Sequence, residues 1–338
     1  MTRIAILGAG SWGTALSVVL SRARKPHEIS VWAHNAQLAE TLQRLRENTT
    51  YLAGALLPDG IRATHDMAKA LNGVQIVIGA IPSVHARAVY TEALPSITKE
   101  TIFVSATKGL ERETHLRMSS VLGQVLAKAG AVEPSRRVAV LSGPSFAAEA
   151  ARGQPTAVVL AAKEAALATL LQEELSGPSF RLYTNDDVLG VELAGAMKNV
   201  IAIAAGACQG LGLGSNPLAA LITRGLAEMM RLAAALGARP ETLSGLAGLG
   251  DLVLTCTGGL SRNRHVGMEL GKGRKLFEIL AEMHMVAEGV ATASPLLALA
   301  SEHGMEMPIT EQVDAILHHG QSPQDAIREI MDRPLKRE

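Results

Sequence analysis

The stretch MTRIAILGAGSWGTAL, residues 1–16, decides the fold. Ile4 to Leu7 is an apolar run too short for a helix, and it reads as a buried strand. Gly8, Gly10 and Gly13 follow in G-x-G-x-x-G spacing, and Thr14 to Arg24 reads as a helix. In that setting each glycine has its own task. Gly8 permits the tight turn, Gly10 lets backbone approach a pyrophosphate, and Gly13 lets the helix pack on the strand. The helix N-terminus adds unpaired N–H groups and a positive dipole end. Alone, the motif also fits a glycine-rich turn of any α/β domain. A second strand, Ile29 to Ala33, ends about 20 residues after Gly13, the span of one βαβ unit, so the spacing predicts a dinucleotide site.

Composition narrows the class. The chain has 338 residues, 48% of them hydrophobic and 19% charged, which suits two well-packed domains rather than a disordered chain. Lys plus Arg equals Asp plus Glu at 32 each, which argues against a general nucleic-acid binder. The two cysteines, Cys208 and Cys256, form no C-x-x-C. Neither a disulfide framework nor a zinc site is expected, and a reducing, cytoplasmic location fits. The first strand begins at once with no basic n-region, so no signal peptide is expected. The charge-free stretch Asn199 to Thr223 contains polar residues and glycines, and reads as a soluble helix followed by a loop rather than a membrane span.

The first half alternates strand and helix. Further strands are expected at Gln75 to Ile81, Thr101 to Thr107, Val138 to Leu141, Thr156 to Ala161 and Phe180 to Tyr183, with a weaker one near Ile61. Helical patterns include His115 to Ala129 and Glu164 to Leu175. This alternation implies a mostly parallel sheet covered on both faces. After about Asp187 the strand signals stop. Ala/Leu/Met-rich helical segments follow at Val188 to Gln209, Pro217 to Leu236, Leu276 to Met283, Thr292 to His303 and Ile309 to His318. The expectation is an α/β Rossmann-type dinucleotide-binding domain over 1–186 and an all-helical C-terminal domain over 187–338. The charged terminus DRPLKRE reads as a frayed tail.

Ligands of doubly wound sheets sit beyond the carboxyl ends of the strands. Two such ends read SATKGLE, which carries Lys108, and LSGPSFAAE, where a helix start near Ser145 offers backbone N–H groups to an anion. An exposed lysine and a plain helix cap are the competing readings. In VELAGAMKNVIAIAAGA, helical spacing puts Lys198 on an apolar stripe with Val191, Ala194, Gly195, Ile201, Ala202 and Ala205. A lysine there is costly unless paired or functional, and desolvation would draw its pKa toward neutrality, as suits proton transfer. A lysine snorkelling at the helix edge is the alternative. In GLAGLGDLVLTCTGGLSRNR, glycine-rich loops are expected to bracket Asp251, Thr255, Ser261, Arg262 and Asn263. Arg262 has the fork that a phosphate needs, Asn263 adds amide donors, and Asp251 suits an ammonium partner or a helix cap. No metal cluster is expected: His318 and His319 lack partners at ligand spacing.

These motifs, with MVAEGVAT at 285–292, resemble in order and over nearly the whole chain the signatures of bacterial NAD(P)-dependent glycerol-3-phosphate dehydrogenase. The resemblance implies interconversion of dihydroxyacetone phosphate and sn-glycerol 3-phosphate, mainly toward the latter for phospholipid synthesis. It implies Lys198 as general acid/base. It implies substrate contacts from Lys108, Gly143, Ser145, Lys198, Asp251, Ser261, Arg262 and Asn263. Dinucleotide contacts are implied for Ser11, Trp12, His34, Lys108, Ala147, Arg262, Val286 and Glu288, beside the glycines of the loop. NADP(H) or NAD(H) is the expected cofactor, without a metal, and the family suggests a homodimer. The second strand ends VWAHN without the Asp or Glu of a simple NAD site, which removes repulsion against a 2′-phosphate; His34 and Asn35 are candidate donors to it. Two alternatives stand beside this reading: a ketopantoate or 3-hydroxyacid reductase type, and a non-catalytic dinucleotide sensor.

Overall fold

The computed structural model describes residues 1–338 apart from His284, Lys336 and Glu338. It divides into two compact units, one comprising Met1–Glu111 with Leu116–Glu192, the other Arg112–His115 with Leu193–Glu338.

The first unit contains ten strands among the described residues: β1 (Thr2–Leu7), β2 (His27–Trp32), β3 (Glu47–Asn48), β4 (Leu52–Leu56), β5 (Ile61–Thr64), β6 (Ile76–Gly79), β7 (Ile102–Ser105), β8 (Val138–Ser142), β9 (Thr156–Ala162) and β10 (Phe180–Asn185). Its helices are α1 (Ser11–Leu20), α2 (Ala36–Leu45), α3 (Met67–Leu71), α4 (Ala86–Ala93), α5 (Met118–Lys128), α6 (Ala147–Ala151) and α7 (Ala165–Leu175). Eight strands form one sheet in the order β10-β9-β8-β7-β6-β1-β2-β5, and β3 and β4 make a separate antiparallel hairpin.

Strand alternation builds two cores. Ile4 and Ile6 of β1 join α1, α2 and α7 on one face through Leu16, Leu42 and Leu171. Ala5 and Leu7 face the other way and join α3, α4 and α5 through Leu71, Tyr90 and Leu122. α5 shows why a helix forms there: Met118, Val121, Leu122 and Val125 recur at helical spacing and are all buried.

The sheet is parallel except at one pair, β8 against β9. An antiparallel connection returns along the edge it leaves, whereas a parallel one must cross to the far edge. The segment joining β8 to β9, which carries GPSFAAE, therefore stays at the carboxyl edge of β1 and β6–β8. α1 begins at Ser11 and stops at Leu20, earlier at both ends than the expected Thr14 to Arg24, and α5 begins three residues after the expected His115.

The second unit is helical: most of α8 (Val188–Gly210), then α9 (Ser215–Ala235), α10 (Pro240–Ser244), α11 (Asp251–Thr257), α12 (Arg262–Gly271), α13 (Leu276–Glu282), α14 (Glu288–Glu302), α15 (Pro308–His318) and α16 (Pro323–Met331). The expected boundary at 186/187 lies at the start of α8; the division into compact units falls within that helix, after Glu192. α8 is long and apolar enough to cross a membrane by length and composition, and its most apolar window is 83% buried inside the fold.

The expected loops at 246–263 are a correction. A π-helical turn, Leu246–Gly250, leads directly into α11, and α12 starts at Arg262. The glycines serve packing here. A Cβ on Gly206 of α8 would strike the Arg264 carbonyl oxygen, and one on Gly267 of α12 would strike that of Ile203. Gly210 and Gly271 continue the same contact one turn on, so α8 and α12 meet backbone to backbone. Elsewhere, buried Glu228 of α9 accepts the N–H groups of Ile309 and Thr310 at 2.9 and 3.0 Å, capping α15. α16 is a helix beyond those the sequence predicts, and after it Arg333 pairs with Glu306 at 2.7 Å; Lys336 and Glu338 of the expected tail lie outside the described residues.

Candidate active site

In the first unit the loop after β1 is shaped as the motif requires. Gly8 has φ +111°, and its N–H donates to the Trp32 carbonyl at 3.0 Å, tying the loop to the end of β2. A Cβ there would also collide with the Ala80 carbonyl oxygen, and a Cβ on Gly13 would collide with that of Gly8. Gly10 differs. It is the extended N-cap residue of α1, and a Cβ on it would meet nothing within 4 Å. Gly8 and Gly13 are thus required by the fold, while the space at Gly10 is open for a phosphate to approach backbone.

Asn48, a residue without any signal in the sequence, holds this loop. It is fully buried, and its Nδ2 donates to the Ala9 carbonyl at 2.9 Å and to Thr14 Oγ1 at 2.8 Å. Its Oδ1 accepts the Tyr51 N–H at 3.0 Å, and Ser11 Oγ donates to the Tyr51 carbonyl at 2.7 Å. The β3–β4 hairpin therefore fastens the glycine loop through Ser11 and Asn48. Trp12 packs its ring against apolar residues of α6 and β4. His34 is exposed, edge-on to Trp32 with ring centroids 5.9 Å apart.

Three further expected residues meet at the carboxyl edge. Lys108 Nζ and Ser145 Oγ both donate to the Gly143 carbonyl at 2.9 Å. Gly143 has φ +128°, and a Cβ on it would come within 3.0 Å of Val158 Cα, so only glycine fits comfortably. Ala147 opens α6 immediately after this cluster.

In the second unit Lys198 is only 6% exposed, and Asp251 only 1%. Lys198 Nζ donates to Asp251 Oδ1 at 2.8 Å and to Thr255 Oγ1 at 2.7 Å. Asp251 and Thr255 lie one turn apart on α11 and so share a face. Thr255 Oγ1 in turn donates to the Asp251 carbonyl at 2.6 Å, which aims its lone pairs at the lysine. The apolar stripe thus buries an ammonium whose charge is compensated by a carboxylate, as burial demands. The sequence places Thr255 beside Asp251 without giving it a role; its i, i+4 relation to Asp251 is the signal for one.

Ser261 is the N-cap of α12, accepting the Arg264 N–H at 3.2 Å. Asn263 bridges three helices: its Nδ2 donates to Asn199 Oδ1 at 2.9 Å, and its Oδ1 accepts the Gly289 N–H at 2.9 Å. Asn199 follows Lys198 directly on α8, and Gly289 follows Glu288 at the start of α14. Arg262, the first residue of α12, is exposed, and the Glu288 carboxylate acts to favour its charge. Val286 is 43% exposed, beside this group in sequence. Burial pushes the thiol of Cys256, next to Thr255, up to about 12 despite the nearby Lys198 charge, so it is inert at neutral pH. Among the described residues no group of three His, Cys, Asp or Glu side chains is placed to hold a metal ion.

A doubly wound sheet with an open glycine loop, in a chain that also carries a helical unit with a buried lysine–carboxylate pair, defines a class: the two-domain dinucleotide-dependent oxidoreductases. Comparison with known proteins narrows the class. A model of the NAD-dependent glycerol-3-phosphate dehydrogenase N-terminus matches residues 3–168, and one of the C-terminus matches 187–328. The chain belongs to this family. It is 53% identical over 335 residues to glycerol-3-phosphate dehydrogenase [NAD(P)+] of Koribacter versatilis, covering 99% of this chain and 98% of that one. The relative of the same name in Acidobacterium capsulatum is 52% identical, with 99% of each chain covered. The crystal structure of glycerol-3-phosphate dehydrogenase from Coxiella burnetii superposes with TM-score 0.92 at 43% identity, covering 98% of this chain and 99% of that one.

Proposed function

We propose that this protein reduces dihydroxyacetone phosphate to sn-glycerol 3-phosphate, reversibly, and so supplies the glycerol backbone for phospholipid synthesis in the cytoplasm. The observation that carries the reading is the buried Lys198–Asp251–Thr255 cluster, in a chain of this family that also holds an open dinucleotide loop. A bound NADPH or NADH supplies the hydride to the ketone carbon. Lys198 gives a proton to the carbonyl oxygen as the alkoxide develops, and takes it back in the reverse direction. Asp251 stays ionised and compensates the ammonium, while Thr255 fixes where Nζ points. Arg262 pairs with the substrate phosphate, and Asn263 fixes the start of α12 from which Arg262 projects. Lys108, Gly143 and Ser145 form a second polar cluster for substrate, with Lys108 and Arg262 also serving the dinucleotide. Ser11, Trp12, His34, Ala147, Val286 and Glu288 complete the proposed dinucleotide contacts, and the family resemblance extends to a homodimer.

Steady-state reduction of dihydroxyacetone phosphate with NADPH and with NADH tests this directly, with ketopantoate and unphosphorylated dihydroxyacetone as comparisons. Turnover confined to the phosphorylated ketone is expected. Preferred turnover of ketopantoate would establish the alternative, whose solved representative from Ralstonia eutropha shares the fold alone at 15% identity and TM-score 0.59. Dinucleotide binding without turnover of either would mark a sensor.

A further inference from the structure

We propose that Glu111, gripped by Arg87, is a positioning residue for Lys108, fixing where that lysine meets the substrate and the dinucleotide. The assignment rests on the dehydrogenase reading and deepens it. Lys108 stands on irregular backbone, three residues past the end of β7 at Ser105. On its upstream side the chain is tied down twice. The Ala106 N–H donates to the Gly79 carbonyl at 2.8 Å, and Thr107 Oγ1 donates to the Ile81 carbonyl at 2.6 Å. On its downstream side the Glu111 N–H donates to the Leu116 carbonyl at 2.9 Å, next to a bridge between Leu110 and Arg117. Lys108 is thus suspended between Thr107 and Glu111, with its Nζ reaching the Gly143 carbonyl at 2.9 Å.

The Glu111 side chain makes the downstream tie a rigid one. Arg87 Nε donates to its Oε1 at 2.7 Å and Arg87 Nη2 to its Oε2 at 2.6 Å. The same Nη2 donates to Gln124 Oε1 at 2.9 Å. Arg87 lies on α4 and Gln124 on α5, two helices packed on one face of the sheet, so the fork keys the Lys108 loop to both. Two parallel bonds fix a carboxylate in distance and in plane, which one bond or an apolar contact would not do. The Glu111 side chain is only 9% exposed. A charge so buried is costly to desolvate, and apolar residues of similar volume often serve stability as well or better. What the pair supplies beyond stability is geometry. A misplacement of about 1 Å in a group that orients substrate can cost about 10²-fold in rate.

Glu111→Gln keeps the shape and removes the charge, while Arg87→Lys keeps the charge and removes the fork. Each is made alone and together with Lys108→Met, on the full-length chain. KM and kcat are measured for dihydroxyacetone phosphate, and the NADPH dissociation constant by fluorescence titration without substrate. Glu111→Gln is expected to raise KM and the NADPH dissociation constant by about tenfold, with a much smaller change in kcat. Arg87→Lys is expected to act in the same direction, and its cycle decides the matter if Glu111→Gln does not fold. In the Lys108→Met background neither change is expected to move either constant by more than about twofold, because the effect passes through the missing ammonium. A merely structural role predicts the same loss with or without Lys108. That additive result, or wild-type constants in both single variants, overturns the proposal while leaving the dehydrogenase reading intact. Absence of turnover in wild type overturns the dehydrogenase reading, and an additive NADPH cycle then overturns the positioning role as well.

Discussion

The chain has two glycine-rich stretches that look alike on paper, GAGSWG at 8–13 and GLAGLGD at 245–251 with its continuation to Arg264, and they are built for opposite purposes. In the first, Gly10 has no Cβ neighbour within 4 Å, so the missing side chain is space for a ligand. In the second, a Cβ on Gly248 would strike the backbone of Leu243, while Gly259 is open; outside the stretch, Gly206 and Gly267 of the packed helices α8 and α12 likewise stand against backbone. There the missing side chain is space already filled by another helix. In the proposed reading the first stretch is the floor of the dinucleotide site. The second is a set of packed helices that presents Asp251 and Thr255 to Lys198. Glycine content alone does not separate an open loop from a tight joint; what occupies the Cβ position does.

The largest effect expected on this comparison is at what the packed helices present. Lys198→Met should lower kcat by about 10²–10⁴-fold if the lysine delivers the proton, with NADPH affinity retained. It also removes the ammonium that compensates the buried Asp251 carboxylate, a loss of about 3–5 kcal/mol in stability. Lys198→Arg, which keeps the ion pair but is a poor acid, should therefore show the kinetic loss with less thermal destabilisation. Near-normal kcat in the folded arginine variant would remove Lys198 from the mechanism and make Lys108 the next candidate.

Next comes the joint itself. Gly267→Val should destabilise the protein by at least about 3 kcal/mol, because the backbone of Ile203 has nowhere to go. Chemical denaturation would measure it, and a wild-type midpoint would show that α8 and α12 separate easily. Arg262→Ala tests a smaller consequence: KM for dihydroxyacetone phosphate should rise by the equivalent of about 1.5–3 kcal/mol per lost charged hydrogen bond, with little change for unphosphorylated dihydroxyacetone. Equal losses on both would assign Arg262 to the cofactor or to folding.

The smallest effect on the fold is expected at the open glycine. Gly10→Val should weaken dinucleotide binding while costing no more than about 1 kcal/mol of stability, the cost of replacing a good N-cap residue of α1 where no packed atom is struck. Gly13→Val, three residues on, should unfold the unit. A Gly10 variant that loses stability as Gly13 does would erase the contrast between ligand space and packing space.

Much was decided by sequence alone. Short apolar runs and the G-x-G-x-x-G at a strand–helix junction determine a dinucleotide-binding α/β unit, because run length, helix pitch and the glycine φ requirement are local properties. Helical spacing likewise set Lys198 on an apolar stripe, and a buried lysine needs a partner. Which partner it takes was decided only in three dimensions: Asp251 lies 53 residues away in sequence, brought to 2.8 Å by close helix packing. The helices at 251–271 were hidden because five glycines between Gly245 and Gly259 depress helix propensity, and tertiary contact outweighs it. Asn48, the antiparallel turn of β9, and the bridge from Asn199 through Asn263 to Gly289 are also tertiary. Each is a hydrogen bond or strand pairing between distant segments, and a residue's own neighbours in the chain carry no record of it.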